Sequence, residues 1–398
     1  MNKVKGKTRI KLDPIGQFYA SIINDDYPGN YSLSAYLKEN IDPQALQLAV
    51  DKVMKRFPFL SGCLKKGFFH YYHELLPHPP KIQADRKGPP FTAYYHEGEG
   101  HVLRVLYGET HFRLETIHSI CDGRGLTKVL KLILSQYFEY LGKEGCVEGI
   151  ESIQEEACEN AYKRLGNSMK IKEYPKISAY HHEGSCPSPV RIKTQTFDLI
   201  ALKKRAKATG TNINGYLLAQ LMQVIAEERK TKGNLKPITA LMPIDCRSLF
   251  PSATFRNFVI NSTIVMPETT NFNELTEGIQ QQLQQIDKDF VQNGINTFQK
   301  MAKMTYPLPL VFKKAAFQKM ENEISKQLTT TLSNLGLIKL PEAIEKHMDR
   351  LEFIISQEPH RPYTFACISL GNKLTLTVTA SVKGDEIIEK LFARLEGK

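Results

Sequence analysis

Helical and strand periodicities alternate through both halves of this 398-residue chain, which predicts an α/β (α+β) sandwich built as two lobes, each a mixed sheet with flanking helices. Three observations carry the expectation. Residues 91–118 alternate apolar and polar side chains at the two-residue period of a half-buried strand, with glycine breaks at 98, 100 and 108. Leu126, Val129, Leu130, Ile133, Leu134 and Tyr137 recur at helical spacing and make one apolar stripe. Between the halves, KISAYHHEGSCPSPVRIK (176–193) has few apolar periods and two prolines, the composition of a connection. The expected division is therefore 1–176 and 177–398.

In chain order, Leu12 to Tyr19 reads as a short lead-in segment. Residues 31–60 read as strand, turn and helix, with Asp42 as N-cap and Pro43 at the first helical position. Leu46, Val50, Val53 and Met54 give that helix its buried face, and Pro58 stops it. Gly62 to Pro77 is a hairpin turning at Lys66-Gly67. The striped helix covers Leu126 to Tyr140. After the connection come a short strand or loop, a helix, a glycine turn and a second helix from Ile213 to Arg229. Ile238 to Ile244 and Phe258 to Met266 are strands, and Gln- and Lys-rich helices fill 272–325. Strands return at 328–336, 351–357, 363–372 and 373–382, before a last helix from Asp385 to Leu395.

Composition narrows the function. The seven cysteines are scattered with no Cys-x-x-Cys pair, which speaks against a disulfide framework or a zinc site and for a reducing compartment. His181-His182 has no third ligand at a suitable spacing and reads as a solvated loop pair, so no metal is expected. A net charge of +11 suits nucleic acid, an anionic membrane surface or a phosphorylated ligand. The basic residues lie in short dispersed clusters and match no nucleic-acid-binding signature, so no nucleic-acid partner is expected. The N-terminus lacks a signal peptide's apolar run, and Lys128, Lys131 and Glu139 interrupt the most apolar stretch. The expectation is a cytoplasmic protein with no transmembrane segment.

LETIHSICDGRGLTKVL (Leu114 to Leu130) carries the chemistry. His118 stands where a strand ends and a helix begins. A neutral imidazole there can take a proton from an alcohol, amine or thiol, provided its ring is held in one tautomer. Asp122 can brace the turn by pairing with an arginine across the fold, and Gly123 lets the backbone turn into the helix. Taken alone, His-x-x-x-Asp-Gly is a weak pattern, and a partly buried histidine beside a helix-capping aspartate explains it equally well.

The context is more specific. IHSICDGRGLTKVL resembles the His-x-x-x-Asp-Gly motif of the chloramphenicol acetyltransferase-like superfamily, which includes alcohol acetyltransferases, wax ester synthases, plant acyltransferases and peptide-synthetase condensation domains. LMPIDCRSLFPSATFRNFVINS resembles that family's Pro-Val-Asp-x-Arg segment and its following strand. TLSNLGLIKLP (Thr331 to Pro341) resembles a late Ser-Asn-Leu-Gly segment of the alcohol acetyltransferase-like members. RFPFLSGCLKKGFF resembles their Arg-x-Pro-x-Leu stretch. The four matches fall in the right order over residues 56–341. Two departures stand out: Ile117 replaces the first of the doubled histidines, and with no tryptophan the chain lacks the plant branch's Asp-Phe-Gly-Trp-Gly.

The resemblance implies a two-lobe sandwich with an active-site channel between the lobes. It implies acyl transfer from a thioester, acyl-CoA or a carrier-protein-bound acyl group, to a small alcohol or amine, with no tightly bound cofactor. His118 would be the general base, with Asp122 paired to Arg247 and Gly123 supporting the turn. Asn257 and Asn261 would lie near the acceptor, Asn257, Ser333 and Asn334 being candidates to contact the acceptor or the oxyanion. Nothing resembles an attached carrier or adenylation domain. A nucleophilic Cys121 is disfavoured because three residues across a strand-to-helix turn need not bring its thiol to His118. A condensation-type enzyme using a separate carrier protein and a non-enzymatic binding protein of the same fold are the rival readings.

Overall fold

Aspartate followed by proline starts two helices of this chain, one of fourteen residues and one of nine. In the computed structural model, which describes residues 2–4, 7–24, 27–85, 100–143, 154–167, 171–172, 175–182, 190–269, 271–358 and 360–398, Asp42 caps the helix Pro43–Arg56. Its carboxylate accepts from the Gln44 and Ala45 amides. The helix stops before Pro58, and Leu46, Val50, Val53 and Met54 are buried, as expected. Residues 12–19 depart from expectation. Asp13 caps a second helix, Pro14–Ile22, by accepting from the Gly16 amide at 2.7 Å.

Three sheets organise the described residues. The hairpin of Gly62–Lys66 and Tyr71–Leu75 turns at Gly67 and joins Lys7–Lys11 and Asn2–Val4 in a four-stranded antiparallel sheet. A five-stranded mixed sheet runs in the order Met348–Ile355, Asn30–Leu37, His111–Ile117, Arg104–Tyr107, Gln83–Ala84. A six-stranded mixed sheet runs Val259–Val265, Thr239–Asp245, Thr330–Ile338, Tyr363–Leu370, Lys373–Ala380, Arg191–Asp198. The mixed α/β class is the one the sequence predicts. Residues 91–99, part of the expected strand-like run, and 183–189, part of the expected connection, lie outside the described residues.

The helices Pro43–Arg56 and Gly123–Tyr140 pack on the five-stranded sheet and form one apolar core. Leu217, Leu218, Leu221, Met222 and Ile225 of the helix Ile213–Thr231 close a second core on the six-stranded sheet. A cut at residue 176 would sever the first of these sheets. Met348–Ile355 pairs with Asn30–Leu37 along its whole length, from Met348 opposite Leu37 to Ile355 opposite Tyr31. Its far end is tied back to the other sheet, where Thr379 Oγ1 donates to the Ile355 carbonyl. A second crossing is the loop between Thr239–Asp245 and Val259–Val265, which buries Phe255 in the first core with ring centroids 5.0 Å from Phe57.

One expectation in the connection fails. His182 is not solvated: its ring is buried between Tyr180 and Tyr363, with Nδ1 2.5 Å from a Glu228 carboxylate oxygen.

Candidate active site

The strand His111–Ile117 ends at His118, and the helix Gly123–Tyr140 begins five residues later. Asp122 fixes the turn between them. Its Oδ1 accepts from the Gly125 amide at 2.7 Å as the helix N-cap, and its Oδ2 accepts from the Phe258 amide at 2.7 Å. Arg247 then grips both oxygens, Nη1 to Oδ2 at 3.0 Å and Nη2 to Oδ1 at 3.3 Å, the pairing the sequence suggested. The same guanidinium donates to Asp245 Oδ1, the Thr254 carbonyl and the Arg256 carbonyl, so all five of its N–H groups are used. The turn is thereby fastened to the loop that crosses from the six-stranded sheet.

Asn257 holds His118 itself. Its Nδ2 donates to the His118 carbonyl at 2.6 Å and to the Asp13 carboxylate at 3.0 and 3.1 Å. Both of those partners accept hydrogen bonds, so the NH₂ must face them and Oδ1 must face the imidazole. Oδ1 lies 3.1 Å from His118 Nδ1. An amide oxygen only accepts, so Nδ1 carries the proton and Nε2 is left with its lone pair. This corrects the sequence reading of Asn257: with both hydrogens engaged, it has none to offer an oxyanion or an acceptor. Arg256 completes the support, its Nε 3.5 Å from Asp13 and its Nη2 donating to the Lys11 carbonyl.

The ring faces are also occupied. Tyr19 stacks on His118 at 4.6 Å and 25°, and Tyr31 lies 4.6 Å away at 34°. Two such rings take opposite faces, which leaves the imidazole edge free. His118 keeps part of its surface accessible. Burial holds its pKa below the ordinary 6.5, opposed by the Asn257 bond and by the Asp122, Asp13 and Glu358 carboxylates. A neutral imidazole with a free Nε2 results. Cys121 is unsuited to attack: its thiol is buried, pushed up to about 12 by desolvation, and 3.4 Å from the Tyr31 hydroxyl that donates to the Cys121 carbonyl.

The other expected residues fare differently. Gly123 has no left-handed backbone; a side chain there would strike Leu335 at 2.7 Å. The stricter glycine is Gly125, where a Cβ would sit 1.7 Å from the Phe255 carbonyl oxygen. Asn334 spends its amide on Asn214 Oδ1 at 2.7 Å and on the Gly336 amide at 2.8 Å, within a bulge of the strand Thr330–Ile338. Ser333 is buried beside it, and both lie within the strand rather than at its end. This segment reaches the His118 turn through Leu335 instead. Asn261 is exposed on its strand. Among the described residues no cluster of His, Cys, Asp or Glu could hold a metal ion.

No protein-family model matches the chain, and no curated protein sequence matches it. Solved structures do. F. sporotrichioides TRI101, solved with coenzyme A and T-2, is 13% identical with a TM-score of 0.65, covering 97% of both chains. The epimerization domain from the third module of tyrocidine synthetase B is 11% identical with a TM-score of 0.63, covering 98% of this chain and 95% of that one. Polyketide synthase associated protein 5 from Mycobacterium tuberculosis is 12% identical with a TM-score of 0.59, covering 97% and 96%. The chain thus shares its fold with these structures over nearly its whole length.

Proposed function

We propose that the protein transfers an acyl group from a thioester to a small alcohol or amine, with His118 as general base. The single observation that carries this reading is the orientation of Asn257, which fixes the tautomer presenting Nε2. In the reaction, Nε2 takes the proton from the acceptor's O–H or N–H as the heteroatom attacks the thioester carbonyl. The tetrahedral adduct expels the thiolate, and the imidazolium returns the proton to sulfur. No bond to the enzyme forms. Asp13, behind Asn257, stabilises the transient imidazolium through the amide, and Asp122 with Arg247 keeps the turn in place.

Acyl-CoA is the preferred donor, because the net charge of +11 favours a ligand bearing phosphates. A carrier-protein donor is the second reading, supported by likeness to domains such as the condensation domain of the monacolin K polyketide synthase MokA. The test is release of free thiol from a panel of acyl-CoA thioesters with alcohol and amine acceptors, with acylated carrier protein as the second arm. His118→Ala is expected to lower kcat by about 10²–10⁴-fold without loss of folding. The wild-type kcat/KM is expected to fall only below the ordinary imidazole range, since burial lowers the His118 pKa. Undiminished turnover in His118→Ala would refute the assignment.

A further inference from the structure

One corner of the molecule keeps large apolar side chains in water. Phe68 is 73% exposed, Val311 70%, Met304 67% and Phe312 65%, with Tyr306 and Phe69 beside them. Two loop tips form this corner, and they are bound together. The Leu310 amide donates to the Phe68 carbonyl at 2.8 Å. Lys313, itself buried, donates from Nζ to the Phe69 carbonyl at 2.8 Å and the Tyr306 carbonyl at 3.3 Å, and contacts His70 Nδ1 at 2.7 Å. His70 and Tyr306 pack their rings at 4.6 Å. The apolar groups therefore stand on a fixed platform.

The segments that carry them are basic. Residues 290–320 contain Lys300, Lys303, Lys313, Lys314 and Lys319, and residues 62–73 contain Lys65 and Lys66; neither segment has an Asp or Glu, in a chain with 42 acidic residues. Lys300, Lys303 and Lys319 are exposed.

We propose that this corner docks the protein on an anionic lipid surface. Side chains lining a groove for a folded partner are half-covered by its walls, whereas these project clear of the surface, as a wedge entering a soft phase does. Aromatic and aliphatic groups lie at the headgroup boundary while the exposed Lys300, Lys303 and Lys319 meet lipid phosphates, each worth about fivefold in partitioning. No helix among the described residues is long and apolar enough to cross a membrane, so attachment is to one leaflet.

The position of the corner extends the proposed reaction and rests on that reading. The strand Tyr71–Leu75 leaves the corner and carries His73, whose Nε2 lies 3.0 Å from Ser119 Oγ, next to His118. The helix Leu310–Ser325 leaves it on the other side and packs Phe317 against Phe18, beside Tyr19. From Val311 to Glu321 that helix rises about 15 Å. The proposed site for a lipophilic donor or acceptor thus lies within a few turns of helix of the surface that meets the bilayer.

The experiment is flotation of the full chain with vesicles of phosphatidylcholine alone and of equimolar phosphatidylcholine and phosphatidylserine. Binding to the anionic vesicles, weakened by salt, is expected. The double change Phe68→Ser with Phe312→Ser should weaken it about tenfold or more. The triple change Lys300→Glu, Lys303→Glu and Lys319→Glu should abolish the preference for phosphatidylserine. The proposal is overturned if neither vesicle binds, if the phenylalanine variant binds like wild type, or if an acidic carrier protein binds the corner and vesicles do not. His118→Ala should float as wild type does. Vesicle binding with no transfer from any donor would leave docking standing and refute the acyl-transfer reading.

Discussion

The turn at His118 and the corner at Phe68 are linked by one strand and one helix, and they are built on opposite rules. At the turn, polar groups are matched within the molecule. Arg247 uses all five donors, Asn257 both hydrogens and its oxygen, and Asp122 both oxygens. At the corner, the backbone is tied down but the carbon surface is open to water. The contrast separates two kinds of completeness. An imidazole that must present one nitrogen is aimed by groups folded with it, so its geometry exists before any ligand arrives. An interfacial surface is finished only by the phase it enters.

If that contrast holds, substitutions at the two ends must differ in kind. The largest loss is expected for Arg247→Ala, which leaves the buried Asp122 carboxylate without its counter-charge and should cost about 3–5 kcal/mol in denaturant unfolding. A loss comparable to a surface change would mean that the turn is held by packing alone. Acid comes next. Burial drives the His73 pKa down to about 3 from 6.5, so the unfolded chain takes up a proton that the folded chain refuses. Stability is therefore complete above the ordinary imidazole pKa and declines as pH falls below it, by roughly 2 kcal/mol near pH 5 from this ring. His73→Gln should flatten that part of the pH profile; an unchanged profile would remove the ring from the account. The smallest effect belongs to the corner. Phe312→Ser should move stability by no more than about 0.5 kcal/mol, because its side chain is already in water. A larger loss would show that the corner is part of the core.

What could be read in the sequence followed from local signals. Asp42-Pro43 announced its helix because an amphipathic stripe follows. Asp13-Pro14 carries the same signal, yet the segment after it, PIGQFYASI, is only nine residues long and mostly apolar, with seven of the nine buried, so it offers too short a pattern to read. Asp13 and Tyr19, both on the His118 support, were missed for that reason. The family resemblance implies the Asp122–Arg247 pair, and the two side chains do meet. The resemblance implies Asn257 near the reaction, but residue type does not reveal which way an amide faces, and its hydrogens point to Asp13 and the His118 carbonyl. Gly125 escaped notice since its need comes from the Phe255 carbonyl, far off in sequence. Ser333 and Asn334 are candidates for the acceptor or oxyanion by resemblance, and the bulge that engages Asn334 comes from sheet register, which the motif does not encode.

The strand Met348–Ile355 has a consequence for biosynthesis. Tyr36 and Glu352, hydrogen-bonded across the pair, are 316 positions apart. While a ribosome is still delivering the intervening chain, Asn30–Leu37 has one neighbour and an open row of amides and carbonyls on its other side. Native completion of that sheet must wait until nearly the whole polypeptide has emerged, so nascent chains stalled before residue 348 should be the ones most dependent on chaperones.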